Sequence, residues 1–173
     1  HTMHGLRGKL PSKGDKDNKA LRRTKMAVDE MKKDVFMVGV RDWNRRLFDS
    51  LIPLPHGTTY NSYLVKGKEK IALIDTVNPG FEEKLDENIS KHADIAKIDF
   101  LIMNHAEPDH AGSIPYIMEK SKAVLVATEK GAKMAQTYYG VPEKRIKKVK
   151  DGDTLKLGGK TLTFIEAPWL HWP

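Results

Sequence analysis

At 173 residues, with 39% hydrophobic and 31% charged side chains, the chain has ordinary globular composition and length for one domain with a real core. No apolar run approaches the roughly 18 residues a membrane span needs, no secretory signal pattern is present, and the lack of cysteine excludes disulfides and thiolate ligation, so a cytoplasmic protein without a membrane partner is expected. The net charge of +7 sits almost wholly in residues 1–25, which hold eight Lys or Arg against two Asp, so no basic surface for nucleic acid is expected on the folded body.

Residues 1–27, including Gly8-Lys9-Leu10-Pro11-Ser12-Lys13-Gly14-Asp15-Lys16, have little to bury and read as a basic flexible tail or as sequence added for expression. The folded domain is expected over 28–173. Val35–Val40 predicts a strand, Trp43–Phe48 an irregular link, and Pro53, Pro55 and Gly57 a loop. His56 falls in that loop, either solvated or as an outer group beside a metal site. Tyr60–Lys66 and Lys70–Thr76, joined by the turn Lys66-Gly67-Lys68-Glu69, predict a hairpin. Ile71-Ala72-Leu73-Ile74 is apolar throughout, as in a strand buried on both faces. It ends on Asp75, placed either to orient a ligand histidine or to cap the turn before Asn78-Pro79-Gly80.

Phe81, Leu85, Ile89 and Ala93 form one stripe of an amphipathic helix, with His92 beside it and expected to be solvated. Ile98–Met103 reads as a short buried strand. After it, Gly112, Ser113 as N-cap and Pro115 predict a helix over about Ile114–Lys120. Ala123–Ala127 predicts another buried strand, and Thr128 an N-cap for a helix ending at Tyr138-Tyr139-Gly140. Short strands are expected at Ile146–Lys150 and Thr154–Leu157, then a Gly158-Gly159 turn into the alternating run Lys160–Ile165. No internal repeat is seen.

The chemically dense stretch is Asn104-His105-Ala106-Glu107-Pro108-Asp109-His110, with four potential ligands in six consecutive positions between a strand and a helix. Nitrogen and oxygen donors without thiolate suit iron, manganese or zinc in a catalytic role. If the loop stays extended, His105, Glu107 and Asp109 share one side and His110 points elsewhere, so the cluster could serve two adjacent metals; the alternative is a solvated loop. His171, between Trp169 and Trp172, is by spacing alone a ligand, a packing residue or a surface residue.

His105-x-Glu107-x-Asp109-His110 resembles the metal motif of the flavodiiron proteins, or A-type flavoproteins, whose catalytic domain is a metallo-β-lactamase fold. Val38-Gly39-Val40-Arg41-Asp42-Trp43-Asn44, Gly57–Val65 and Leu170-His171-Trp172-Pro173 resemble the family too, in its order, so the resemblance covers 28–173. It implies an α/β (α+β) chain forming about the first half of a metallo-β-lactamase-like αββα sandwich. Ordinary members of that superfamily carry histidine where this chain has Glu107, an exchange that hardens the site and favours iron over zinc. The resemblance assigns His105, Glu107 and His171 to one iron of a non-haem diiron pair, and Asp109 and His110 to the other. It makes Asp75 an outer residue that orients a ligand, and it implies no catalytic group beyond the ligands.

The activity so implied is oxidoreductase chemistry, reducing dioxygen to water or nitric oxide to nitrous oxide. Electrons come from FMN in a flavodoxin-like domain, supplied by the partner in a head-to-tail homodimer, with rubredoxin or a similar protein as donor. That domain, a bridging aspartate and a last histidine are absent from these residues. The chain is therefore expected to be a fragment, or to assemble with the missing half of its own domain, and to bind metal poorly and turn over nothing alone. Its uncovered sheet face is expected to be apolar. Two other readings remain: a zinc-dependent hydrolase of the metallo-β-lactamase type, and a non-catalytic remnant or assembly subunit.

Overall fold

Alternation along the central strands decides the architecture. Leu64, Leu73, Leu101 and Leu125 pack in one buried cluster, while their neighbours Val65, Ala72, Ile102 and Val126 pack in another on the opposite face. The computed structural model describes residues 29–167. In chain order its elements are β1 (Glu30–Lys32), β2 (Val35–Met37), β3 (Val40–Asp42), β4 (Leu47–Phe48), β5 (Ile52–Pro53), β6 (Thr58–Tyr60), β7 (Tyr63–Lys66), β8 (Ile71–Ile74) and α1 (Glu82–Ser90). There follow β9 (Phe100–Ile102), α2 (Pro108–Ala111), α3 (Ile114–Lys120), β10 (Val124–Ala127), α4 (Glu129–Tyr139), β11 (Ile146–Lys148), β12 (Thr154–Lys156) and β13 (Thr161–Thr163).

The main sheet has the order β1-β2-β7-β8-β9-β10-β11. Its first four strands pair antiparallel, and β8 to β11 run parallel through crossovers that carry the helices. The helical face is filled by Leu85 and Ile89 of α1, Ile114 and Ile117 of α3 and Ala135 of α4, all fully buried or nearly so. The other face is covered by the antiparallel ladder of β12 and β13, which brings Leu155 and Leu157 against Val65, Ala72, Ile102 and Val126. On that face Val35, Ile74 and Phe100 stay half-buried. This is the mixed α/β half-sandwich expected, one helical layer on one sheet. Because β8 and β9 are parallel neighbours, their C-terminal ends open side by side, which is where open α/β sheets place their sites.

Several boundaries differ from expectation. Val35–Val40 is not one strand: the amides of Val38 and Gly39 both donate to the Ser62 carbonyl, at 2.9 and 3.1 Å, and the chain bends out of the sheet into β3, which pairs with β6. Only glycine suits that bend, since a Cβ at position 39 would collide with the Tyr60 carbonyl. The link after Trp43 holds a small hairpin, β4 with β5, turning through Asp49 and Ser50 at φ 48° and 56°. No glycine marks that turn, so its left-handed residues gave no signal. Ser113 does not cap α3 with its side chain; its hydroxyl donates instead to the Val77 carbonyl at 2.8 Å. His92 is half-buried and stacks on Phe36, ring centroids 4.0 Å apart, rather than being solvated.

Candidate metal centre

The loop after β9 is set by the end of β8. Asp75 lies at φ 55°, and its carboxylate accepts from the Asn104 amide at 2.8 Å, the Asn104 side-chain amide at 3.2 Å and the His105 amide at 3.4 Å. It thus holds the backbone of the loop rather than an imidazole ring. Burial pushes its carboxyl up to about 6, partly offset by the N–H bonds from Asn104 and His105 and by nearby His110. The Asn78-Pro79-Gly80 turn donates no hydrogen bond to this carboxylate among the described residues.

From His105 the chain stays extended only as far as Glu107, at φ −72° and ψ 150°. Pro108, suited to a first helical position, then starts α2, so Asp109 and His110 project from a single helical turn rather than an extended loop. The turn still brings His105, Glu107 and Asp109 together: one ligand atom from each lies within 4.8 Å of the others. His105 Nε2 is 3.1 Å from Glu107 Oε2, and His110 Nε2 is 3.5 Å from Asp109 Oδ2. The two imidazole rings are 5.7 Å apart, so His110 stands beside the trio on the Asp109 side. All four side chains are mostly buried, 15–24% exposed.

The donor set fits a divalent ion. Ligands at about 2.0–2.2 Å from a common centre are at most about 4.4 Å apart, so small side-chain shifts seat the trio. Among the described residues this is the group of three or more metal-type side chains that converges. His56 is exposed in its loop and does not join it. His171 lies outside the described residues.

Three further groups bear on the site and carried no signal in the sequence. The Tyr139 hydroxyl, at the end of α4, donates to the Ala106 carbonyl at 2.5 Å, between His105 and Glu107. Thr76 bonds to the His110 carbonyl. Tyr60 donates to Asp42 at 2.9 Å and accepts from Arg45 at 3.3 Å. The Tyr60 bond, with lesser attraction from Asp109 and Asp42, raises the already high pKa of the Arg45 guanidinium.

Comparison with known proteins decides the family. Residues 58–173 match the model described as ODP family beta lactamase. Over 150 residues the chain is 40% identical to the flavo-diiron protein FprA2 of Clostridium acetobutylicum, an alignment covering 86% of this chain and 37% of that one. The chain belongs to the flavodiiron protein family. It is also 40% identical over 146 residues to the anaerobic nitric oxide reductase flavorubredoxin of Vibrio vulnificus, covering 83% of this chain and 29% of the relative. Rubredoxin oxygen:oxidoreductase of Desulfovibrio gigas has the same fold, with TM-score 0.78 and 37% identity over 83% of this chain and 36% of that one. The chain spans about a third of the length of these flavodiiron relatives. What it shares is the metallo-β-lactamase-like domain, in part, and the described structure is that partial fold.

Within this flavodiiron domain the four side chains fall into two close pairs, His105 with Glu107 and Asp109 with His110. The pattern pairs Asp109 with His110, which lie 3.5 Å apart, and Asp109 also converges with His105 and Glu107 within 4.8 Å. Asp109 thus lies within reach of both His110 and the His105–Glu107 pair.

Proposed function

We propose that this chain carries the ligand loop of a non-haem diiron centre in a flavodiiron oxidoreductase that reduces dioxygen to water or nitric oxide to nitrous oxide. His105, Glu107, Asp109 and His110 are the ligands from the loop, and His171 is the fifth. The observation that carries this reading is the convergence of His105, Glu107 and Asp109 within 4.8 Å, with His110 alongside, at the parallel strand ends. A pair of ferrous ions held by these side chains would supply electrons and a place for a diatomic ligand to bind. The protein's share is geometric and electrostatic. Glu107 and Asp109 present carboxylate oxygens suited to the harder oxidised ion, Asp75 and Tyr139 fix the backbone on either side of Ala106, and burial of most of the ligand surface limits access of water.

The names of the relatives support the wider reading. Electrons would arrive from FMN in a flavodoxin-like domain of a head-to-tail partner, and a rubredoxin-type donor is suggested by the Desulfovibrio gigas protein. We take 28–173 as the domain, 1–27 as a basic tail or sequence added for expression, and the cytoplasm as the setting. Gas-consumption measurements on the full-length protein with a reduced donor test this reading. Consumption of dioxygen or nitric oxide, abolished in Glu107→His, is the expected result. An iron-loaded protein that consumes neither gas overturns it.

A further inference from the structure

We propose that Thr76 is a positioning residue that sets the Asp109–His110 half of the centre by gripping the His110 carbonyl, an inference that rests on the diiron reading above. Thr76 is fully buried, and both its donors are aimed at one acceptor: the backbone N–H lies 2.6 Å and the hydroxyl 2.8 Å from His110 O. That carbonyl belongs to α2, a helix of one turn, whose last carbonyls find no partner within the helix. A single turn is also too short to hold its own shape through cooperativity, so the direction of His110 must be fixed from outside. The lacing is reciprocal, since Ser113 returns a bond from its hydroxyl to the Val77 carbonyl at 2.8 Å. Gly112, between these anchors, is packed so closely on the Pro79 ring that a Cβ there would collide with it.

Two consecutive residues of one strand end therefore hold opposite ends of the ligand loop. Asp75 takes the amides of Asn104 and His105 where the chain enters, and Thr76 takes the carbonyl of His110 where it leaves. The span between the two ligand groups is thereby tied to one peptide unit of β8's extension. Loss of the Thr76 hydroxyl should loosen one end and spare the other, which a general destabilisation would not do.

The test is anaerobic titration of the metal-free, full-length protein with ferrous ion alone, comparing wild type, Thr76→Val and Thr76→Ser, with thermal melts of each metal-free form. Thr76→Val is expected to weaken one of two ferrous sites about tenfold, the effect of one lost buried hydrogen bond, and to leave the other unchanged. Thr76→Ser should restore it. Equal weakening of both sites, no weakening of either, failure of serine to restore the site, or weakening that merely follows the loss of metal-free stability would overturn the proposal. A wild-type protein that takes fewer than two ions would overturn the diiron reading itself, and this inference with it; two ions with an unaltered Thr76→Val overturns the inference alone.

Discussion

Tyr139 shows how a ligand loop is held by a residue with no chemistry of its own. Its hydroxyl pins the carbonyl of Ala106, the residue between His105 and Glu107. Tyr139→Phe should cost about 1 kcal/mol in stability and loosen the His105 and Glu107 side, visible as weaker ferrous binding in a competition titration. Glu107→His, which restores the nitrogen donor of ordinary superfamily members, should shift bound metal from iron toward zinc; elemental analysis checks this. Asp75 adds a pH signature. Burial raises its carboxyl from an ordinary 3.8 to about 6, so in the metal-free protein its contribution is fully present below the lower value and lost as pH rises through about 6. Thermal melts in chelator across that window should fall for wild type and stay flatter for Asp75→Asn. The four side chains proposed as loop ligands stand out in the sequence because metal chemistry is written in residue type and spacing, and the structure brings three of them within 4.8 Å. Tyr139 and Thr76 do not stand out, because each acts on a carbonyl more than thirty positions away and any residue type offers that carbonyl.

The strands and helices that present the loop are held by ordinary packing. Leu101 lies at the centre of β9, fully buried on the helical face one strand from both Leu73 and Leu125. Leu101→Ala should destabilise the protein by about 2–5 kcal/mol in denaturant unfolding, the range for a large-to-small change in a packed core. The caps of α4 match their sequence signals: Thr128 accepts from the Gly131 amide at 3.1 Å, and Gly140 closes the helix at φ 65°. Those signals were readable because a cap needs one residue type at one position. The β4–β5 hairpin was not readable, since strands of two residues have no period and its turn uses Asp49 and Ser50 where glycine or asparagine is usual. The break between β2 and β3 was hidden for a related reason: Val38 and Val40 continue the apolar run, and the bend is made by two amides sharing the Ser62 carbonyl.

At the scale of the molecule, the two faces of the sheet were legible as alternation and the helical layer as a stripe, because both are periodic. The pairing of β8 with β9 in parallel is what turns those periodic elements into a site, and it follows from the crossover through α1 rather than from any residue. No helix among the described residues is long and apolar enough to cross a membrane. If metal binds only the folded site, chelation should lower the melting temperature of the full-length protein and added ferrous ion should restore it. The measurement that tests the central claim most directly is elemental analysis of the anaerobically purified full-length protein. About two irons per chain, lost together when His105 and Asp109 are replaced, is the result this account predicts. Zinc in that place, or iron retained without those side chains, would contradict it.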